Sequence, residues 1–184
     1  MQHFYENIQG WFTAQHVYDR AVESVSGDGH FVELGCWLGR STAYLAVAIL
    51  NSGKTIQLDC VDTWRGSREH QAHPAVVKGT LYREFLSNLT PVCHDFRAIQ
   101  SSSRDAVSEY RDNSLDFVFI DASHDYHDVK RDIENWLPKV KPGGILAGDD
   151  YCPHWPGVVQ AVDEVLSKAQ ISVRRSVWSF FKPT

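Results

Sequence analysis

The stretch Phe31–Thr42, FVELGCWLGRST, combines an acid, two glycines and two hydroxyl residues at a spacing that suits a bound cofactor. Apolar residues lead into Glu33, Gly35 and Gly39 follow, and Ser41 opens the apolar helix AYLAVAIL. A strand that turns sharply into a helix leaves backbone N–H groups pointing at whatever lies over the turn. Glycine there removes the Cβ that would block a ligand. The pattern therefore indicates a cofactor-binding turn.

The spacing within this turn distinguishes classes of cofactor. It reads E-x-G-x-x-x-G, with Trp37 at the middle position, and matches neither the G-x-G-x-x-G of dinucleotide sites nor a lysine-containing phosphate-binding loop. Phosphate is therefore disfavoured. The acid Glu33 suits a positively charged amine, while the Ser41 hydroxyl and the helix N-terminus suit a carboxylate. We expect an amino-acid moiety here; the alternative is an ordinary strand-to-helix turn of an α/β protein.

Asp62 closes the next predicted strand, at a distance from the glycine turn where a carboxylate reaches both hydroxyls of a ribose. The alternative is a solvated turn aspartate before Thr63, which we include as a neighbouring cofactor contact. A ribose together with an amino-acid moiety describes S-adenosylmethionine. Ser102 and Ser103, after the third strand, then lie beside the adenine, although a serine cluster before a helix is as often an N-cap.

Three further acids, Asp121, Asp149 and Asp150, follow the fourth and fifth predicted strands. The ligand crevice of an open α/β sheet lies beyond the C-terminal ends of its strands, and neighbouring strands end about 5 Å apart. Carboxylates that close raise one another's pKa unless a cation lies between them, and oxygen-only ligands favour a hard ion such as Mg²⁺. The sequence therefore predicts a magnesium site, with Asp121 also close to the cofactor. The alternative is that Asp149 and Asp150 simply form a turn.

His124 stands three residues after Asp121, in the loop that leaves the same strand. A neutral imidazole there could take the proton from a substrate hydroxyl whose pKa the metal lowers. A surface-loop histidine is the alternative, and His127 is a rival base within one helical turn. We take His124 as the candidate catalytic residue because of its position at the crevice.

Between these residues, apolar periodicity predicts a regular alternation of strands and helices. Strands are predicted at 31–34, 55–61, 96–99, 115–120, 145–147 and in the closing runs ISVRR and VWSFF; helices at 13–25, 41–51, 79–89, 104–110, 129–137 and 157–167; and a KPGG turn at 141–144. This alternation predicts a doubly wound, Rossmann-like α/β fold with helices on both faces of a mostly parallel sheet. Two closing strands without a helix between them predict an antiparallel hairpin at the C-terminal edge.

Length and composition fit one domain over residues 1–184, with 1–28 as an N-terminal helical lid, because 184 residues with 43% hydrophobic content can bury a single substantial core. A formal net charge of -5 without a basic run disfavours nucleic acid and favours a small-molecule substrate. Four scattered cysteines, no signal-peptide pattern and no membrane-length apolar run predict a cytoplasmic protein that binds no membrane. A short chain with mobile lids could complete its pocket as a homo-oligomer.

Three segments in order resemble motifs of the class I S-adenosylmethionine-dependent methyltransferases, specifically the metal-dependent small-molecule O-methyltransferases. ELGCWLGRST is similar to the first motif of that family, DFVFIDASHDY to the fourth, and GGILAGDDY to the motif after the fifth strand. The macrocin O-methyltransferase group of macrolide-sugar enzymes is the most similar, and the catechol and caffeoyl-CoA O-methyltransferases are more distant. The resemblance extends from Phe31 to the C-terminus.

The resemblance implies roles for the same residues. Those implied to surround the methionine part are Glu33, Gly35, Gly39 and Ser41, with Asp62 on the ribose. The implied metal ligands are Asp121, Asp149 and Asp150, the last of which is asparagine in many relatives. His124 occupies the place of a lysine base in catechol-type enzymes and of a histidine in the macrolide-sugar enzymes. The implied product is a methyl ether, formed when a deprotonated hydroxyl attacks the sulfonium methyl group in line.

Two other functions remain open at this point. One is a metal-independent methyltransferase in which the acids are structural and a nitrogen or carbon is methylated; the other is a cofactor-binding subunit without catalysis. The predicted lids are the N-terminal MQHFYENIQGWF, with Trp11 and Phe12, and the segment 65–74, where Arg65, His70 and His73 are candidates for substrate contact. The identity of the substrate does not follow from the sequence.

Overall fold

The structure is a computed structural model that describes residues 1–166, 168 and 170–184. Strands and helices alternate through the described residues. The strands are β1 (Asp28–Leu34), β2 (Thr55–Asp62), β3 (Arg97–Gln100), β4 (Leu115–Ile120), β5 (Val140–Gly148), β6 (Ile171–Arg174) and β7 (Val177–Phe181). The helices are α1 (Gln15–Ser24), α2 (Arg40–Ser52), α3 (Pro74–Val77), α4 (Leu81–Asn88), α5 (Ser103–Ala106), α6 (Tyr126–Trp136) and α7 (Pro156–Val165).

The strands form one sheet in the order β3-β2-β1-β4-β5-β7-β6. Strands β1 to β5 pair in parallel, whereas β7 is antiparallel to both β5 and β6. The predicted fold class is therefore confirmed: a doubly wound, Rossmann-like, mostly parallel sheet with an antiparallel C-terminal hairpin at its edge.

The strand order reverses between β1 and β4, which is where open α/β sheets bind ligands. Leu34 at the end of β1 lies opposite Ile120 at the end of β4. The two loops that leave these strands, starting at Gly35 and Asp121, therefore begin side by side.

Each face of the sheet is covered by helices, and successive side chains of β1 point to opposite faces. Phe31 packs in the cluster that contains the buried residues of α1, α2 and α4, whereas Val32 and Leu34 pack in the cluster formed with α5, α6 and α7. Burial on both faces explains why the central strands are nearly continuous apolar runs.

The predicted turn at 141–144 lies within β5, where it is an irregular stretch: Val140 pairs with Leu115 and Ile145 with Phe117, so the four residues between them stand opposite Asp116 alone. The end of the chain pairs with them: Gly143 N donates a hydrogen bond to Lys182 O at 2.8 Å, and Lys182 N donates one to Gly144 O at 3.0 Å. Strand β1 also begins earlier than predicted, at Asp28, because Asp28–His30 pair with the start of β2. Both differences arise from pairing with distant segments.

Several helix bounds also differ from the predicted ones. The helix predicted at 104–110 is the short α5 followed by a 3₁₀ turn, Val107–Glu109, and α6 begins at Tyr126 because Asp125 accepts a hydrogen bond from His127 N. Helix α3 lies partly within the predicted lid 65–74 and was not predicted. Residue 167, the predicted end of the last helix, lies outside the described residues. In the described part of the chain, no helix is both long and apolar enough to cross a membrane.

Candidate active site

The turn between β1 and α2 depends on two glycines with positive φ. At Gly35 (φ +82°) a Cβ would lie 2.0 Å from the carbonyl oxygen of Asp121, so only glycine allows the loops after β1 and β4 to meet. Gly39 (φ +90°) caps α2, and a Cβ there would lie 3.1 Å from side-chain atoms of Phe85 and Leu89. The two glycines thus bring the turn against the neighbouring loop and against α4.

Asp62 braces the same turn from the end of β2. Its Oδ2 accepts hydrogen bonds from Cys36 N at 2.8 Å and Trp37 N at 3.0 Å, and its Oδ1 accepts one from Trp64 N at 2.7 Å. Trp37 has the left-handed φ of 49°, rare for a bulky residue, and this bond to Asp62 supports it. The turn therefore accommodates a tryptophan in the left-handed conformation that glycine adopts most easily.

A cavity of about 690 Å³ opens at the C-terminal ends of β1, β2, β4 and β5. Ten of the twelve predicted site residues line this cavity: Gly35, Ser41, Asp62, Thr63, Ser102, Ser103, Asp121, His124, Asp149 and Asp150. Among the lining residues, Ser102 is also the N-cap of α5, since its side chain accepts a hydrogen bond from Asp105 N. The structure therefore brings together residues from six separate loops and helix starts.

Glu33 and Gly39 are the two predicted residues that the structure does not bring to the cavity. Glu33 is fully buried behind its wall, where its carboxylate accepts hydrogen bonds from Tyr18 Oη at 2.8 Å and from the Thr42 hydroxyl. Burial raises the pKa of Glu33 despite these bonds and one from Ser41. The carboxylate joins α1, β1 and α2, and the expected direct contact between Glu33 and a cofactor amine has no counterpart in this arrangement.

Two of the three predicted metal ligands, Asp121 and Asp150, lie together with His124, whereas Asp149 is not in this group. Ligand atoms of Asp121, His124 and Asp150 lie within 4.8 Å of one another. Asp149 lines the same cavity but uses Oδ1 to accept hydrogen bonds from Ser176 Oγ at 2.5 Å and Asp150 N at 2.7 Å. Burial, followed by the charges of Asp149 and Asp150, raises the pKa of Asp121 well above its usual value.

His124 is held firmly beside these acids. Its Nε2 lies 2.8 Å from Asp150 Oδ2, its Nδ1 lies 3.5 Å from Glu69 Oε1, and its ring stacks on Trp155 with centroids 3.8 Å apart. Burial lowers the pKa of His124, but the hydrogen bonds and charges of Asp150 and Glu69 outweigh burial and raise it overall. The rival His127 is exposed and does not line the cavity.

Both predicted lids contribute walls to the cavity. His70 stacks between Trp37, at 4.2 Å between centroids, and Trp11, at 6.0 Å, which joins the N-terminal segment to the β1–α2 turn. Of the candidates in segment 65–74, His70 lines the cavity, whereas Arg65 and His73 do not. His73 instead packs edge-on against Trp37.

Sequence reasoning missed two residues beside His124. Trp155 could have been found, because an aromatic residue directly before Pro156 in the loop after the acidic pair is well placed to face the crevice. Glu69 carried no such signal: it lies in a polar segment, and only the tertiary structure brings it next to His124.

The fold is a doubly wound sheet that includes the antiparallel strand β7, and the site combines a glycine turn braced by an acid with a cavity over the switch point. A family profile described as "Methyltransferase domain" matches residues 32–151. The chain belongs to this family.

Two curated proteins are similar in sequence. An uncharacterized protein of Sinorhizobium fredii, y4gI, is 29% identical over 119 residues, which are 65% of this chain and 13% of that protein. Tricin synthase 2 of Oryza sativa subsp. japonica is 28% identical over 167 residues, 85% of this chain and 49% of that enzyme. The chain thus spans about half of the second relative and a much smaller part of the first.

Solved structures of O-methyltransferases share the fold. NovP has a TM-score of 0.70 at 18% identity, with 92% of this chain and 79% of NovP covered. An O-methyltransferase from Bacillus cereus in complex with SAH has a TM-score of 0.61 at 16% identity, with 96% of this chain and 86% of that one covered. CalS11, a TDP-rhamnose 3'-O-methyltransferase, has a TM-score of 0.62 at 16% identity, with 91% and 76% covered.

Proposed function

We propose that the protein transfers the methyl group of S-adenosylmethionine to a hydroxyl of a small sugar-like or polyhydroxylated molecule, assisted by a divalent cation such as Mg²⁺. The observation that carries this proposal is the meeting of Asp121, Asp149, Asp150 and His124 in the cavity that also contains the glycine turn. A methyl donor bound at the turn and an acceptor bound at the acids would share that one cavity.

The acids fit a hard cation as its ligands. The raised pKa of Asp121, caused by burial and then by Asp149 and Asp150, means that three ionised carboxylates here repel one another unless a cation neutralises them. Carboxylate oxygens are the ligands that Mg²⁺ prefers, and Asp149 Oδ2 has only a 3.5 Å contact with Thr13 to give up. When bound, the cation supplies charge that lowers the pKa of a substrate hydroxyl and orients its oxygens.

His124 is the group that receives the proton of the acceptor hydroxyl in this proposal. Its Nε2 faces Asp150, so the imidazole is directed toward the acids rather than toward solvent. The stack on Trp155 fixes the plane of the ring. Nε2 can take that proton once its hydrogen bond to Asp150 is exchanged for one to the acceptor hydroxyl, and the stack on Trp155 keeps the ring in position during the exchange.

The acceptor side of the cavity supports a compact, hydrogen-bonding molecule. The rings that line the cavity are those of Trp11, Phe12, Trp37, His70, His124, His154 and Trp155, and we assign those near His124 to the acceptor. Aromatic rings can pack on the faces of a sugar or another ring while the histidine nitrogens contact its hydroxyls. CalS11 is a TDP-rhamnose 3'-O-methyltransferase, and that activity agrees with a hydroxyl as the methylated group here.

A chelation experiment tests the proposal. The purified protein is assayed for S-adenosylhomocysteine formation with a panel of nucleotide sugars, polyols and catechols, with EDTA and then with excess Mg²⁺, while cofactor binding is followed by calorimetry. We expect EDTA to abolish turnover, Mg²⁺ to restore it, and cofactor affinity to stay unchanged. Turnover that survives EDTA would favour a metal-independent methyltransferase, and tight cofactor binding without transfer to any acceptor would favour a non-catalytic subunit.

The same proposal includes a cytoplasmic location, a small-molecule partner rather than nucleic acid or membrane, and a possible homo-oligomer. The net charge of -5 supports a small-molecule partner rather than nucleic acid, because a phosphate-binding surface needs excess positive charge. Size-exclusion chromatography with light scattering measures the oligomeric state.

A further inference from the structure

The cavity continues past the serines after β3 to the inner side of α6. Asp128, Arg131 and Asp132 of that helix line it together with Ser102 and Ser103. Asp132 is 2% exposed, which is unusual for an ionisable residue on a helix. A buried carboxyl group that faces a ligand cavity calls for a partner.

Asp132 has one hydrogen-bond donor among the described residues, and its second carboxylate oxygen is not one of the fully buried unpartnered atoms, so that oxygen is reachable from the cavity. Its Oδ1 accepts a hydrogen bond from Ser103 Oγ at 2.6 Å, whereas Oδ2 accepts none from any side chain or backbone N–H that the structure describes. Arg131, the next cation along the helix, donates to Asp128 instead. Burial raises the pKa of Asp132 to about 6, with the Ser103 hydrogen bond only partly opposing it.

Asp59 offers an internal comparison, since it is the other buried aspartate that lies between strands and helices. It is fully buried, yet it accepts hydrogen bonds from His30, Gln57, Arg97 and Tyr110. Burial raises the pKa of Asp59, but these donors outweigh burial and hold it well below its usual range. The fold can therefore saturate a buried carboxylate, and at Asp132 it leaves one oxygen free beside a cavity.

The position of Asp132 relative to the cofactor residues indicates which ligand group meets this oxygen. The glycine turn and Asp62 line the part of the cavity to which we assign the amino-acid and ribose parts of the cofactor, and the acids with His124 line the part that we assign to the acceptor. The part of the cavity that remains, between the serines after β3 and α6, is left for the adenine. The exocyclic amine of adenine carries two N–H donors, and a carboxylate is the strongest acceptor for them.

We propose that Asp132 accepts a hydrogen bond from the exocyclic amine of the cofactor's adenine, with Ser103 holding the carboxyl group in place. The residue is thus a specificity determinant for adenine over other purines. A site built to accept a hydrogen bond from an amine rejects an analogue that offers an acceptor there, because the buried oxygen is then left unpaired. The inference rests on the cofactor part of the proposed function and on neither the metal nor the acceptor.

The test compares two cofactor products that differ only at this amine. Calorimetry measures the affinity of the protein for S-adenosylhomocysteine and for S-inosylhomocysteine, its deaminated analogue, without metal or acceptor. We expect the wild-type protein to bind the adenine compound at least about tenfold more tightly. In Asp132→Asn the amide can donate to the 6-oxo group, so we expect this preference to fall to about unity or to reverse.

Glu134→Gln is the matched control, because Glu134 lies on the same helix but is exposed and does not line the cavity. Its preference for adenine should equal that of the wild type. If Asp132 only joins α6 to α5 through Ser103, Asp132→Asn would instead lower the affinity for both compounds by the same factor. That result overturns the inference, as does a wild-type protein that binds the two compounds equally well.

Ser103→Ala keeps the test decisive if Asp132→Asn does not fold. It retains the carboxyl group of Asp132 but removes the only side chain that donates to it among the described residues. We expect a smaller preference for adenine in Ser103→Ala than in the wild type. An unchanged preference in this folded variant would overturn the inference, and failure of the wild type to bind either compound would overturn the cofactor assignment as well.

Discussion

Asp150 combines two properties at the scale of the single residue. It has a left-handed backbone conformation, with φ of 65°, and its carboxylate contacts His124. Aspartate tolerates this conformation better than most residues with a side chain. The backbone conformation and the carboxylate of Asp150 therefore have to be separated by experiment, because a substitution changes both.

We predict that Asp150→Ala lowers Mg²⁺-dependent turnover by about 10²–10³-fold while cofactor affinity stays nearly intact, because several kcal/mol of charge stabilisation depend on the cation. Steady-state kinetics at varied Mg²⁺ and calorimetry with S-adenosylhomocysteine measure the two effects. Asp150→Gly is the matched control, since it lacks the carboxylate but accepts positive φ without strain. Turnover retained in the glycine variant, or cofactor affinity lost as severely as turnover, would mean that Asp150 is structural.

At the scale of elements, the lids meet through aromatic stacking rather than through a regular hydrogen-bonded structure. Trp11 is 77% exposed and stacks on His70, which in turn stacks on Trp37 of the β1–α2 turn. An apolar side chain so exposed contributes little to folding, yet it stands at the cavity. Its free face is therefore available to an acceptor molecule.

Trp11→Ala is predicted to raise the KM for the acceptor by about three- to tenfold and to leave thermal stability within about 1–2 °C of the wild type, because an aromatic contact is worth about 0.5–1.5 kcal/mol. Kinetics with a saturating methyl donor and a thermal melt provide the two measurements. Val77→Ala, 71% exposed and outside the cavity, should change neither quantity. An unchanged KM for the acceptor in Trp11→Ala would show that the Trp11 ring packs on His70 but does not contact the acceptor.

The elements also show how far the sequence can predict this fold and site. The order of elements, the parallel sheet and the meeting of Asp62, Asp121 and Asp150 follow from periodicity and from the rule that strand ends share one edge. The extension of β5 through 141–144 depends on pairing with Lys182, and Glu69 reaches His124 only through the lid. Contacts between distant segments leave no local pattern in the sequence, which is why the extension of β5 and the position of Glu69 were missed. The burial of Glu33 was missed for the same reason, because it depends on the contacts with Tyr18 and Thr42.

At the scale of the whole molecule, Asp59 links the sheet to the helical layer on one face. Its carboxylate, buried in β2, is reached by His30 of β1, Arg97 of β3 and Tyr110 beyond α5. Burial raises the pKa of Asp59, but the hydrogen bonds from His30 and then Arg97 outweigh burial, so the pKa lies below its usual value. An acid of this kind stabilises the fold above the unfolded-state pKa, and this stabilisation is lost as the pH falls toward the lower folded-state pKa.

Asp132 changes the free energy of unfolding in the opposite direction. Burial raises its pKa to about 6, so its protonation between about pH 6 and pH 4 stabilises the folded state.

For Asp59 we predict that the free energy of unfolding, measured by urea denaturation, falls steeply below about pH 4, where an aspartate of the unfolded chain takes up its proton. Asp59→Asn should reduce stability at pH 7 by about 2–4 kcal/mol and flatten the profile below pH 4, because the charge that Arg97 and His30 hold is gone. Asp105→Asn, at an exposed residue of α5, is the matched control and should keep the wild-type profile; an equally steep acid limb in Asp59→Asn would assign the effect to other carboxylates.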